Sequence, residues 1–114
     1  MRENVIRAGG GVARDDDEWG ATVSVGKVEH ALQQHPDTKI LAFEHIETSP
    51  GAVSYAQTLG KIAKEYNVLS IVDAVTSLGG GPLEVAEWEL DAAYPGSQKC
   101  LSCVPGVSPR TLSP

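Results

Sequence analysis

Cysteine is nearly missing from this chain, and its scarcity excludes two chemistries. Only Cys100 and Cys103 occur, as a lone C-x-x-C in "CLSC". A structural zinc site needs a second ligand pair at similar spacing, and none of the three histidines supplies one. Pro105 and Gly106 follow too soon for the helix that a thioredoxin-like pair would open. Two reduced thiols in a reducing compartment are the expectation. Basic residues are scarce too: 9 Lys and Arg face 15 Asp and Glu, a formal charge of −6. A nucleic-acid or anionic-membrane surface needs clustered cations, so neither partner is expected. Apolar runs last only a few residues, far below the roughly 20 that span a bilayer. "MRENVIRAGGG" holds no apolar core ahead of a cleavage site, so no secretion signal is expected, and the expected location is cytoplasmic.

What is present is ordinary for a globular chain: 41% apolar and 21% charged residues over 114 positions, one domain at most. Repeats and low-complexity tracts are absent. A short strand is expected around Gly11 to Arg14, followed by an acidic run, Asp15 to Glu18, read as a solvated loop in preference to a cation site. "SVGKVEHALQQH" places Val25, Val28, Ala31 and Leu32 on one helical face, with Ser24 as N-cap. "KILAFEH" reads as a buried strand of a parallel sheet. In "GAVSYAQTLGKIAKEYN", Val53, Ala56, Leu59, Ala63 and Tyr66 recur at helical spacing, and Asn67 closes the helix. "VLSIVDAV" is a second, β-branched strand. "PLEVAEWEL" is helical or irregular, and "DAAYPGS" is a third, weaker strand. Strand, helix, strand, connector, strand is the order of an α/β domain with parallel strands.

Ligands of such sheets collect at the carboxyl ends of the strands. Three groups fall there: "HIETS" after the first strand, Asp73 in the second, and "SQK" after the third. Taken singly, Lys99 is a solvated lysine, and Asp73 reads equally as a strand-end cap. A carboxylate late in a β-branched run is nonetheless costly to bury unless a cation or hydrogen-bond donor meets it. Together the two fit pyridoxal phosphate. That cofactor needs a primary amine to hold its aldehyde as an imine, and a carboxylate to keep its pyridine nitrogen protonated. About 25 residues with one connector between them suit neighbouring parallel strands. The triple glycines "AGGG" and "LGGG" lie outside any G-x-G-x-x-G or P-loop context, so the second is read as a tight turn against the sheet.

The strings "HIETSPGA", "SIVDAVTSLGGGPLEV" and "DAAYPGSQKCLS" resemble the class V, fold-type I aminotransferases, in particular the alanine–glyoxylate, serine–glyoxylate and serine–pyruvate group. The resemblance runs from "VIRAGGGV" through "EWG" to "VPGVSP". It implies part of the aspartate-aminotransferase-like large domain, an incomplete, mostly parallel sheet with crossover helices. It also implies roles. Lys99 would hold the cofactor and shuttle the proton, Asp73 would pair with the ring nitrogen, and Val75 would pack on one ring face. Thr48 would hydrogen-bond near the ring's phenolic oxygen, and Gln98 would help hold the phosphate. Glu47, Ser49 and Ser97 lie near the site without assigned roles, and His45 is read as a structural histidine.

The implied reaction is transamination between an amino acid, alanine or serine, and a 2-oxo acid, glyoxylate or pyruvate, in a homodimer. Gln98 bears on the alternatives, because cysteine desulfurases usually carry histidine before the lysine, and phosphonate-substrate aminotransferases another residue pair. The rivals are a desulfurase or other class V lyase, and a truncated, inactive, cofactor-free domain.

Residues 1–114 lack the family's N-terminal phosphate-binding loop, its stacking aromatic and the small C-terminal domain. Arg110, in "SPRTLSP", is not the arginine that clamps the substrate carboxylate. The acidic run before "EWG" replaces alternating apolar residues and weakens the strand expected there.

Overall fold

The computed structural model describes all residues, 1–114. Three parallel strands form its centre: β1 (Ile40–Glu44), β4 (Leu69–Asp73) and β5 (Ala92–Tyr94). Their order is β1-β4-β5-β6, where β6 (Thr111–Leu112) runs antiparallel to β5. A two-stranded ribbon, β2 (Ile46–Glu47) with β3 (Ala52–Val53), projects beyond β1. The helices are α1 (Arg2–Arg7), α2 (Val25–Gln34) and α3 (Ala56–Glu65), the last joining β1 to β4 through the ribbon. No helix is long and apolar enough to cross a membrane. The architecture is α/β with a mostly parallel sheet.

Helices cover only one face of that sheet. Phe43, Val72 and Ala93 point to that face and meet Ala56 and Leu59 of α3, with Leu90 closing the cluster. Full burial of a side chain such as Leu59 or Val72 contributes about 1.5–3 kcal/mol. A satellite cluster of Leu32, Ile62 and Val68 fastens α2 to α3. Because side chains alternate along a strand, the register pairs Ile40 with Leu69, Ile71 with Ala92 and Ala92 with Leu112 on the other face. That face is bare: Ile40 is 51% exposed, Leu69 56% and Leu112 68%. The first strand was expected to be buried on both sides, and it is not.

Several local expectations meet the structure directly. Ser24 caps α2, its Oγ accepting from the Lys27 N–H at 3.4 Å. Asn67 takes φ 55° and ends α3, as a left-handed residue past a helix does. Val53, assigned to that helix from its spacing, lies instead in β3 and is exposed. Residues 11–14 form no strand. The acidic run explains why. Asp17 is drawn to α2, with Oδ2 accepting from the Ser24 N–H at 2.9 Å and Oδ1 meeting Lys27 Nζ at 2.7 Å. These partners, Lys27 first, hold the Asp17 carboxyl below its usual range. A stretch anchored by its charges to a helix N-terminus is not available to a ladder. "PLEVAEWEL" is a succession of turns, with Glu89 in the left-handed region.

Candidate active site

The carboxyl ends of β1, β4 and β5 carry one polar row. Glu44 is the register partner of Asp73, and Asp73 of Tyr94, so all three point to the bare face. The Asp73 carboxylate is held at both oxygens. Oδ1 accepts from the Val75 N–H at 3.0 Å, and Oδ2 accepts from the Tyr94 hydroxyl at 2.7 Å. Burial, then the bond and charge of Asp73, push the Tyr94 hydroxyl above the ordinary range of a phenol.

Glu44 shares a hydrogen bond with Glu47 of the ribbon. Burial, that bond, and the charges of Glu47 and Asp73 raise the Glu44 carboxyl to about 7, while Lys99 opposes them. The bond from Glu44 draws the Glu47 carboxyl downward, helped by the backbone of Ser49 and Thr48. Asp73 ends β4 and the turn that carries Lys99 follows the neighbouring β5, so both residues lie at the carboxyl end of the sheet.

Lys99 is half-buried in a turn built around Ser97. The Ser97 N–H donates to Val107 O at 3.1 Å, its hydroxyl to Val104 O at 2.7 Å, and its carbonyl accepts from the Cys103 N–H at 2.9 Å. Ser97, unassigned on sequence grounds, is the pin of the lysine turn. Two glycines let that turn sit close. A Cβ on Gly80 would fall 2.5 Å from Cys100 Sγ, so the "LGGG" loop backs onto the residue after Lys99. A Cβ on Gly96 would lie 2.9 Å from Gln98 Oε1 and 3.1 Å from Val75 Cγ1. The Gln98 side chain therefore folds back toward Val75, although Gln98 is exposed.

Thr48 is exposed at the ribbon's end, its hydroxyl 2.5 Å from that of Thr76. This pair ties the ribbon to the loop after β4. His45 is buried, stacked edge-on against Trp88 at 5.7 Å, and its side chain lies on the core side, away from the row. Burial lowers its pKa, and its Nδ1 has no hydrogen-bond partner. Two shallow clefts, of about 170 and 280 Å3, lie elsewhere: one beside Val85 and Arg110, the other on the bare face under Leu69 and Leu112. Neither includes Asp73 or Lys99.

Residues 15–108 match the family described as aminotransferase class-V. The chain belongs to that family. Over 111 residues it is 39% identical to an uncharacterized aminotransferase of Methanocaldococcus jannaschii, covering 96% of this chain and 29% of that protein. Over 113 residues it is 36% identical to the (S)-ureidoglycine–glyoxylate transaminase of Bacillus subtilis, covering 99% and 27%. An alanine–glyoxylate aminotransferase from Nostoc superposes with a TM-score of 0.91 at 40% identity, over 97% of this chain and 29% of that one. The chain therefore spans less than a third of the length of these relatives.

Class V aminotransferases use pyridoxal phosphate, and the donor set fits it. The doubly anchored carboxylate of Asp73 and the turn that carries Lys99 lie at the ends of neighbouring strands, Val75 packs against Gly96 of that turn's approach, and the Thr48 hydroxyl meets Thr76 in the loop after β4. Sequence reasoning passed over Tyr94, Glu44 and Thr76. Period-2 alternation could have placed Glu44 and Tyr94 on the face of Asp73, once the strands were aligned.

Proposed function

We propose that these residues are part of the large domain of a transaminase that passes an amino group from alanine or serine to glyoxylate or pyruvate. The observation that carries this reading is the Asp73 carboxylate, fixed by two hydrogen bonds at the end of β4, beside the strand whose following turn carries Lys99. Pyridoxal phosphate, when bound, supplies a ring that withdraws electrons from the substrate's α-carbon. Asp73 would keep a proton on the ring nitrogen, and its two anchoring hydrogen bonds hold it oriented. Lys99 would hold the cofactor, then move a proton at the substrate α-carbon. Val75 would pack on a ring face, Thr48 would bond near the phenolic oxygen, and Gln98 would contribute to the phosphate site.

The bare sheet face, with Ile40, Leu69 and Leu112 exposed, supports the domain reading, because parallel sheets are stable when both faces are covered. The remaining large domain would lie there, with the small domain and a second subunit completing the site. Gln98 ahead of Lys99 favours transamination over desulfurase or lyase chemistry.

The test uses the whole polypeptide that carries this segment. Incubation with pyridoxal phosphate should give the lysine-bound chromophore, and Lys99→Ala should abolish it. Asp73→Asn should retain the chromophore and lose most turnover, about 100-fold or more, because a neutral amide cannot hold the protonated ring. Oxo-acid formation from alanine or serine without sulfide release from cysteine is expected. Sulfide release, or near-normal turnover in Asp73→Asn, would refute the corresponding part of the reading.

A further inference from the structure

We infer that Tyr94 is a positioning residue for the cofactor-binding carboxylate, acting through Asp73 and not on the substrate. The inference rests on the role proposed above for Asp73. Tyr94 ends β5 and is the register partner of Asp73, so the two side chains stand beside each other on one face. The phenol donates to Oδ2 at 2.7 Å while the Val75 N–H donates to Oδ1 at 3.0 Å. One bond alone would leave the carboxylate free to turn about its Cβ–Cγ bond. Two donors, one on each oxygen, fix its plane, and the lone pairs that remain face away from both. An O–H donor on an ionised acceptor is among the stronger hydrogen bonds of a protein. Burial and the charge of Asp73 favour the protonated phenol, so the donor persists throughout the range in which an enzyme works.

The ladder supplies the rigidity behind that donor. The Ala74 N–H donates to Tyr94 O at 2.9 Å, so the backbones flanking the pair are tied as well. Tyr94 thereby couples two strands: β4, which presents the carboxylate, and β5, which leads through Pro95 and Gly96 into the Lys99 turn. Its hydroxyl links the orientation of the acid to the strand that delivers the amine.

The experiment compares wild type, Tyr94→Phe, Asp73→Asn and the double variant in the whole polypeptide carrying this segment. Four quantities are measured: the Kd for pyridoxal phosphate from titration of the bound chromophore, the Tm of the cofactor-free protein, and kcat and KM for the amino donor. Tyr94→Phe should weaken cofactor binding about tenfold, the scale on which losing a partner that orients a ligand is felt. It should lower kcat and leave KM and Tm unchanged. In the Asp73→Asn background the same substitution should change the Kd less than about twofold, because the group it orients is no longer ionised. Unaltered cofactor binding in Tyr94→Phe would overturn the inference. So would an equal loss in both backgrounds, or a collapse of the Tm, since the hydroxyl would then serve the fold. A wild type that takes up no pyridoxal phosphate would instead remove the proposed function, and this inference with it.

Discussion

Asp91→Ala should cost this protein more than any other single truncation at the start of the sheet. Asp91 is buried and joins four groups. Its carboxylate accepts from the Ser70 N–H at 2.8 Å, the Ser70 hydroxyl at 3.0 Å, Lys64 Nζ at 2.6 Å and, more weakly, the Ser113 hydroxyl at 3.4 Å. Burial works against its charge, yet the bonds from Lys64 and Ser70 prevail and hold its pKa below the ordinary value. Removing the carboxylate strands the Ser70 N–H in the interior, at about 1–3 kcal/mol. The half-exposed Lys64 loses a partner, a further loss of about 1 kcal/mol after allowing for solvent. The sum is about 3 kcal/mol, a large share of the roughly 5–15 kcal/mol that holds a domain folded. Asp91→Asn keeps one acceptor for Ser70 and should lose about half as much. Urea denaturation at pH 7 measures both, and a loss of 3 kcal/mol moves the midpoint by roughly 1–3 M. Because Ser70 is the second residue of β4 and Asp91 precedes β5, the damage should also loosen the register that brings Asp73 to Tyr94. If Asp91→Ala loses less than about 1 kcal/mol, or Asp91→Asn proves equally damaging, the network is not what sets that register.

Gly80→Ala should displace the lysine turn, since its Cβ would fall 2.5 Å from Cys100 Sγ and 3.1 Å from Thr76 O. A loss of about 1–3 kcal/mol in thermal or urea unfolding is expected, with partial recovery in Gly80→Ala/Cys100→Gly, and no recovery would mean that Cys100 is not the obstacle. Glu44 predicts a pH dependence. Its folded value of about 7 stands above the ordinary 4.5, so the folded state binds the extra proton and stability falls as pH rises through that window. The full effect would approach 3 kcal/mol, and partial exposure reduces it to about 1 kcal/mol. Glu44→Gln should flatten the stability profile between pH 4.5 and 7, and an unaltered slope would show that another group titrates there.

The central elements were legible because their causes are local. Leu59, Ala63 and Tyr66 recur at helical spacing, and the run from Val68 to Val72 is interrupted before Asp73 only by Ser70. Ser24 and Asn67 are residue types whose side chain or left-handed tolerance ends a helix wherever the rest of the chain goes. The strand expected at residues 11–14 failed because ion pairs with Arg14 and Lys27 took the acidic stretch elsewhere, a choice that no short window contains. The ribbon of β2 and β3 and the pairing of β6 with β5 were missed for a related reason. Two-residue strands have no periodicity to read, and only their partners define them.

The candidate site divides along the same line. The types and order of Asp73, Gln98 and Lys99 are properties of the chain, because the chemistry of an amine and a carboxylate does not depend on folding. Register is a relation between distant segments, and it alone put Glu44 and Tyr94 beside Asp73, set Gly80 beneath Cys100 and turned His45 into the core. Those neighbours decide how the carboxylate is oriented and which groups share a proton. Hydrogen bonds and desolvation act over a few ångströms of space, whatever the separation along the sequence.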